Sequence, residues 1–209
     1  MKTAELIERL SGNPAPVRDG ATMMAAGAAA GALVSAAMML AWLGPRPDLA
    51  AAAGTWGYWA KFAYTLAFAV LVFRTAERLA KPAATPSPML DALPLAAIAI
   101  TAFLQWMSTP AAAHMTLLMG RSAMVCPWRI VTLSLPLLLG TIWGMRRLAP
   151  THAMLAGAAA GLFAGAAGAW IYAFACTESS AVFVAVWYTT GIALTGLLGA
   201  LIGRWALRW

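Results

Sequence analysis

Residues 154–209 decide the fold, and they read MLAGAAAGLFAGAAGAWIYAFACTESSAVFVAVWYTTGIALTGLLGALIGRWALRW. The stretch consists of two apolar runs, Met154–Ala175 and Ala181–Gly203, joined by the short polar link Cys176–Ser180. Each run is long enough to cross a bilayer, because about 20 apolar residues in a helix span the roughly 30 Å hydrocarbon core. A link this short can only turn at one membrane face. The stretch therefore predicts a transmembrane helical hairpin with a cysteine and a carboxylate at its tip.

Small residues in the first run of this hairpin predict close packing against a neighbouring helix. The first run carries a stripe of glycines, which lets the backbone of a neighbouring helix come near. The stripe consists of Gly157, Gly161, Gly165 and Gly168.

Aromatic and lysine side chains near the ends of apolar runs are expected at the lipid headgroups. Tyr172, Trp187 and Tyr188 lie toward the tip of the hairpin, where amphipathic rings are favoured as interface anchors. Lys61 lies near the start of an earlier run, and its long side chain is expected to reach the headgroups rather than to act as a buried functional charge.

The composition extends the membrane prediction to the whole chain. Hydrophobic residues make up 62% of the 209 residues and charged residues only 10%, far from the near-25% charge of soluble domains. The net charge of +7 does not indicate a nucleic-acid partner, because the basic residues stand at the ends of apolar runs. The sequence predicts an all-α integral membrane protein in the lipid bilayer, with no removable signal peptide and no direct nucleic-acid contact.

Six apolar runs define a transmembrane domain over residues 21–209. The predicted spans are 22–43, 56–73, 90–107, 128–144, 154–175 and 181–203. The stretch Ala111–Val125 contains His114 and Arg121, is too polar for a span, and is expected to form a loop or a re-entrant segment.

Residues 1–20 form the one substantial segment outside the predicted spans. Leu6, Ile7 and Leu10 fall on one face at helical spacing, which predicts a short amphipathic helix. Two interpretations are open: a solvated or interfacial leader, or a small docking face for a cytoplasmic partner.

The distribution of basic residues predicts the orientation. An even number of spans places both termini on one side. Ten Lys and Arg residues fall on that side, against three on the other, or four with Lys61, so the positive-inside rule predicts cytoplasmic termini. The ten are Lys2, Arg9, Arg18, Arg74, Arg78, Lys81, Arg146, Arg147, Arg204 and Arg208.

Two cysteines are the main candidates for chemistry. Cys126 and Cys176 both fall on the predicted non-cytoplasmic face, where a disulfide or transient binding of a soft metal is open to them, with His114 or Glu178 as further ligands. The alternative is that both are small apolar residues at helix ends. Beyond the cysteines the sequence predicts no cofactor, and it has no phosphate loop, redox thiol motif or nucleophile–base pair, so no enzyme is predicted.

Motifs along nearly the whole chain carry a family resemblance. They are Met1-Lys2-Thr3-x-x-Leu6-Ile7 with Pro14-x-Pro16, Gly120-Arg121-Ser122 with Cys126, Pro136, Arg147-x-Ala149-Pro150, Tyr172-Ala173-Phe174-x-Cys176-x-Glu178, Phe183-x-x-x-Trp187-Tyr188-x-x-Gly191 and Gly203-Arg204. In order and spacing they resemble the NrsF-type anti-sigma factors, which are short six-span bacterial membrane proteins.

The resemblance implies a function and its residues. It implies an inner-membrane protein that holds an extracytoplasmic-function sigma factor inactive and releases it under metal or oxidative stress, with Cys126 and Cys176 as the envelope-side sensor. Glu178, His114 and Arg121 are then neighbours of that sensor. The sigma factor would dock on a set of cytoplasmic residues: Leu6, Ile7, Leu10, Arg74, Arg78, Arg146 and Arg147.

Two other classes compete with this interpretation. A small bundle that docks its glycine faces on another membrane subunit would need no sigma factor. A small-solute or metal transporter would need a polar stripe along a pore, and the spans offer mainly Ser, Thr and Gln105.

Overall fold

The computed structural model describes residues 20–81 and 88–208, and within these ranges the chain is helical and contains no strand. The expected amphipathic helix with Leu6, Ile7 and Leu10 lies outside the described residues. The helices are α1 (Gly20–Trp42), α2 (Leu49–Ala53), α3 (Trp56–Leu79), α4 (Pro88–Ser108), α5 (His114–Met119), α6 (Cys126–Met145), α7 (Ala153–Tyr172) and α8 (Ala181–Ala206).

Six of these helices are long and apolar enough to cross a membrane, which confirms the number of predicted spans within the described residues. Their bounds differ from the prediction mainly in α3. This helix does not stop at Phe73 but continues to Leu79, so Arg74 and Arg78 lie on its last turns and not in a link. The basic residues do not end the helix because Ala76 and Leu79 remain buried there.

The stretch Ala111–Val125 does not cross the bundle. It forms a 3-10 turn at Ala111–Ala113, the short helix α5 and a turn that leads into α6. The indole of Trp187 on α8 donates to the Leu118 carbonyl at 2.7 Å and attaches this segment to the end of the hairpin. The stretch is therefore a loop that covers one end of the bundle.

Helix α7 lies at the centre of the bundle and contacts α8, α3, α6 and α1. Its glycine stripe allows the close approach of a neighbouring helix that the sequence predicted: Gly157, Gly161 and Gly165 face α8, and Gly168 faces Ser134 of α6. A Cβ atom added to Gly203 of α8 would lie 2.6 Å from the Cα of Gly157, and one added to Gly199 would lie 2.7 Å from the Cα of Gly161. Two backbones pack this closely only where side chains are absent.

Helices α1 and α6 form the second close pair of the bundle. The buried hydroxyl of Ser35 on α1 donates to the Leu133 carbonyl of α6 at 2.6 Å. Helix α6 continues through Pro136, although a proline removes one hydrogen bond inside a helix. The carbonyls released by a proline can be satisfied locally in a tightly packed bundle.

The bundle has two chemically different ends. One end, called the basic end here, holds the C-termini of α3, α6 and α8, where the exposed side chains include Arg78, Arg146, Arg147 and Arg204. The opposite end, called the cysteine end, holds Cys126 and the non-helical stretch 176–180, called the cysteine link. Each long helix joins the two ends over about 30 Å, at 1.5 Å per residue for 20 residues.

Candidate functional site

The fold brings Cys126 and Cys176 together at the cysteine end. Cys126 is the first residue of α6, and Cys176 follows the last turn of α7. Both are free thiols, with 0% and 3% of their surface exposed. The two thiols lie close enough to influence each other's ionisation, so two residues 50 positions apart in the sequence form one pair.

Two buried cations hold the backbone of the cysteine link. The ammonium of Lys61 donates to the carbonyls of Cys176 at 3.0 Å and Glu178 at 2.9 Å. The guanidinium of Arg46 donates to the carbonyls of Cys176 and Thr177, both at 3.2 Å. The carbonyls of Cys176, Thr177 and Glu178, which accept no helical hydrogen bond, thereby all receive hydrogen bonds from charged donors.

The expectation for Lys61 was wrong. Its side chain does not reach the headgroups, because it is completely buried. Lys61 lies about 7.5 Å along α3 from Trp56, at 1.5 Å per residue, and points into the bundle beneath the cysteine link. The two carbonyl acceptors lie inside the bundle, so the ammonium gains hydrogen bonds there that compensate for part of its desolvation.

Arg46 is held from its other side by Asp48. Nε and Nη2 of Arg46 each donate to a carboxylate oxygen of Asp48 at 2.8 Å, in a bidentate pair. This pairing raises the pKa of Arg46 and lowers the pKa of the Asp48 carboxyl below its ordinary value. The side chain of Arg46 is 4% exposed, whereas that of Asp48 is 51% exposed, so the pair closes the site toward the outside.

The surroundings of Cys176 favour its thiolate. The neighbouring Cys126 thiol and the attraction of the Lys61 ammonium lower the pKa of Cys176. The backbone N–H of Glu178 contributes in the same direction. A thiol with this environment is a better nucleophile at neutral pH than an ordinary cysteine, because the thiolate is the reactive form.

Two tyrosines form the inner wall of the site. Tyr172 and Tyr188 are 1% and 0% exposed, with ring centroids 5.9 Å apart, so they are not the interface anchors that the sequence predicted. Tyr188 ends a π-helical turn, Val184–Tyr188, and its ring centroid lies 5.9 Å from the Lys61 ammonium. The Tyr188 hydroxyl is buried and makes no hydrogen bond to the described residues.

Glu178 connects the cysteine link to the loop before α6. Its Oε1 accepts a hydrogen bond from the backbone N–H of Arg121 at 2.8 Å. Gly120 makes this approach possible, because its φ is +48° and an added Cβ would lie 2.7 Å from the Glu178 carboxyl carbon. The predicted neighbours Glu178 and Arg121 therefore meet, through the backbone of Arg121 and not through its exposed side chain.

His114 lies apart from this contact. Its ring stacks on Trp106 with centroids 3.9 Å apart, and its Nε2 lies 3.1 Å and 3.0 Å from the carbonyls of Trp106 and Thr109. In residues 20–81 and 88–208, no three His, Cys, Asp or Glu side chains are close enough to hold a metal ion. The donor set is thus a pair of thiols, which suits disulfide formation directly and offers a soft metal only two thiolates.

The predicted docking residues lie at the basic end. The side chains of Arg74, Arg78, Arg146 and Arg147 are exposed there. Arg146 and Arg147 follow the last residue of α6, the helix that Cys126 begins. Cys126 and the arginines Arg146 and Arg147 therefore lie at opposite ends of the same helix.

Comparison with known proteins assigns the chain to a family. Residues 10–209 match the family described as NrsF, negative regulator of sigma F. The chain belongs to the NrsF family. The anti-sigma-F factor NrsF of Caulobacter vibrioides (strain NA1000 / CB15N) is 35% identical over 218 residues, which cover 100% of both chains. The probable anti-sigma-F factor NrsF of Azospira oryzae (strain ATCC BAA-33 / DSM 13638 / PS) is 34% identical over 214 residues, again covering both chains completely. No solved structure matches the chain.

Sequence reasoning missed two side chains of this NrsF-family site. Lys61 was expected at the headgroups and Arg46 was not singled out, although both are buried against the cysteine link. The signal for Lys61 was its position inside an apolar run, where an ionisable residue is a functional candidate by default. The signal for Arg46 was weaker, because the Pro-Arg-Pro-Asp turn that contains it is typical of an exposed loop.

Proposed function

We propose that this chain is a membrane-bound anti-sigma factor that sequesters an extracytoplasmic-function sigma factor and releases it when metal or oxidative stress acts on Cys126 and Cys176. Membership of the NrsF family supports the regulatory role, since the family is described as negative regulators of sigma F. A regulator of this kind acts by binding, so no enzymatic step is included. The observation that carries the sensing part is the placement of two free, buried thiols at the same end of the bundle, at the ends of helices α6 and α7, which contact each other.

The proposed orientation places the basic end in the cytoplasm and the cysteine end in the envelope, in the inner membrane of a bacterium. The excess of Lys and Arg at the basic end supports it, because the positive-inside rule assigns such an end to the cytoplasm. With this orientation Cys126 and Cys176 lie in a compartment where disulfides persist, and Arg74, Arg78, Arg146 and Arg147 face the compartment of the sigma factor.

The signal would travel along packed helices. Cys126 begins α6 and Cys176 follows α7, so a bond between their sulfur atoms draws together the ends of two helices that contact each other. A small shift at the cysteine end then moves the other ends of α6 and α7, where Arg146 and Arg147 lie. Shifts of packed helices between two arrangements are a known way to couple distant sites.

Docking of the sigma factor is proposed on the cytoplasmic links together with residues 1–20. Leu6, Ile7 and Leu10 would supply an apolar contact, and the four arginines would supply charge. An affinity pull-down of the detergent-solubilised protein from its native cells, followed by mass spectrometry, tests this. Recovery of one sigma factor, lost on deletion of residues 1–20, is the expected result. Recovery of membrane subunits alone would favour an assembly subunit.

The sensing part has its own test. Cys126→Ser and Cys176→Ser are expected to change sigma-dependent transcription, measured with a reporter before and after peroxide or a soft metal ion. Unchanged basal and induced transcription in both variants, together with normal binding of the sigma factor, would contradict the cysteine sensor. The anti-sigma role would be unaffected by that result.

A further inference from the structure

We infer that Lys61 is the positioning residue of the cysteine pair: it fixes the backbone of Cys176 so that the Cys176 sulfur stays against Cys126, and an oxidised thiol closes to the disulfide before it reacts elsewhere. This inference deepens the proposed function and rests on its thiol chemistry. It concerns an ammonium group that neither the family description nor the names of the relatives mention.

The burial of Lys61 is the first observation behind this role. The side chain has 0% exposure, and among the described residues no carboxylate lies within ion-pair distance of it. A buried ammonium without a carboxylate partner is costly in a membrane protein. A helix that needed only apolar packing at this position would carry Leu or Met, so the charge points to a task at the cysteine link.

The acceptors of Lys61 define that task. They are the carbonyls of Cys176 and Glu178, at 3.0 Å and 2.9 Å, on either side of Thr177. Two bonds to carbonyls two residues apart fix the path of the backbone between them. The Cys176 N–H still donates to the Tyr172 carbonyl at 3.0 Å, but the carbonyls of residues 176 and 178 accept no helical hydrogen bond, so the direction in which the chain leaves Cys176 depends on these donors.

Lys61 and Arg46 make unequal contributions to this positioning. Arg46 lies in the turn between α1 and α2, and its partner Asp48 is half exposed. Lys61 extends from α3, a long helix that packs on α7, and it is the donor on the inner side of the link. A side chain on a packed helix holds a site more rigidly than one on a loop. Lys61 is therefore the internal anchor.

The chemical step is the closure of the pair after oxidation. One thiol reacts with hydrogen peroxide to give a sulfenic acid and one water molecule. The sulfur of the second thiol then attacks the sulfenic sulfur, the S–S bond forms as the S–O bond breaks, and the hydroxyl leaves with the proton of the attacking thiol as a second water molecule. In sum, the two thiols lose two electrons and two protons to the peroxide.

The experiment measures how much of the sulfenic acid closes to the disulfide and how much is trapped by dimedone. Purified full-length protein in detergent is treated with hydrogen peroxide in the presence of dimedone, and mass spectrometry quantifies the intramolecular disulfide and the dimedone adduct. In the unchanged protein the disulfide is expected to dominate. Lys61→Met is expected to raise the ratio of adduct to disulfide about tenfold or more, because loss of position slows closure. This ratio does not depend on the rate of the first oxidation.

Two further variants make the result specific. Lys61→Arg keeps a cationic donor and is expected to restore the disulfide. Lys81→Met removes an exposed lysine that pairs with Glu77 at the basic end, so it is expected to behave as the unchanged protein. If Lys61→Met does not elute as a single species in gel filtration, Lys61→Gln takes its place. Because Lys61→Gln keeps a neutral donor, its ratio of adduct to disulfide is expected to exceed that of the unchanged protein by less than tenfold.

The outcomes separate this inference from the proposed function. An unchanged ratio in Lys61→Met, or in Lys61→Gln where the first does not fold, would overturn the role of Lys61 while the disulfide still forms. An equal rise in Lys61→Arg would also overturn it, because packing and not the cation would then be responsible. Recovery of the sigma factor is a separate measurement and does not depend on this ratio.

Discussion

The guanidinium of Arg46 donates from Nη1 to the carbonyl oxygen of Cys176 at 3.2 Å, across 130 positions of sequence. Nη2 of the same group donates to Thr177 at 3.2 Å and to Asp48 at 2.8 Å. One side chain thus joins the turn after α1 to the cysteine link. A change at Asp48 is therefore expected to act on Cys176 through the guanidinium.

Asp48→Asn is expected to weaken this connection and to remove an acid-dependent part of the stability. The folded-state pKa of Asp48 is lowered by Arg46, so the pair contributes fully above the ordinary value of 3.8, and the contribution is lost as the pH falls through the lower folded-state pKa. Thermal unfolding in detergent is compared at pH 7 and near pH 3. The unchanged protein should lose more stability between these two values than Asp48→Asn does. Equal losses in both proteins would contradict the prediction.

Gly157→Ala is expected to destabilise the bundle by about 1–3 kcal/mol, because a methyl group would have to enter the contact between two helix backbones. The Cα atoms of Gly157 and Gly203 leave no room for it. The measurement is thermal unfolding in detergent. Gly54→Ala is the matched control, since a Cβ there meets its nearest atom at 3.5 Å, an ordinary contact. A similar melting temperature for both variants would show that α7 and α8 separate at low cost.

Glu178→Ala is expected to release the loop before α6. The hydrogen bond from the Arg121 N–H to the carboxylate would be lost, and a bond of this charged type is worth about 1.5–3 kcal/mol. Hydrogen exchange of the Arg121 amide should then be about tenfold faster or more, because local opening becomes easier. Glu77→Ala at the basic end serves as the control. Unchanged exchange at Arg121 would mean that the loop is held by other contacts.

Gln105→Leu is expected to loosen the start of α8. The side-chain oxygen of Gln105 accepts hydrogen bonds from the Ser180 hydroxyl at 3.2 Å and from the Val182 N–H at 3.3 Å. Its loss should cost about 1 kcal/mol, the value typical of one net hydrogen bond, and should raise amide exchange at Val182. Thr101→Val, one turn earlier on α4, removes only a hydroxyl bonded within its own helix and provides the control. Faster exchange in both variants alike would assign the effect to α4 as a whole.

Much of the fold could be predicted from the sequence, because the length of an apolar run and the shortness of its links are local properties. Six runs gave six helices in the described residues, and the glycine stripe indicated a close helix contact, which α8 makes at Gly157 and Gly161. The two cysteines were also correctly placed at one end of the bundle. A bilayer leaves a helix as the only solution for such runs, so no tertiary information was needed.

The composition of the site was decided by the tertiary structure alone. Whether Lys61 points to the headgroups or to the cysteine link depends on the rotation of α3 about its axis, which packing against α7 sets. Tyr172 and Tyr188 have the pattern of interface anchors, and only the fold turns them inward. His114 lies close to Cys126 in sequence, yet its ring stacks on Trp106. Sequence determines which residues lie at each depth, because depth follows the rise along each helix. Which of them touch is decided by helix rotation and pairing, and these are properties of the whole bundle.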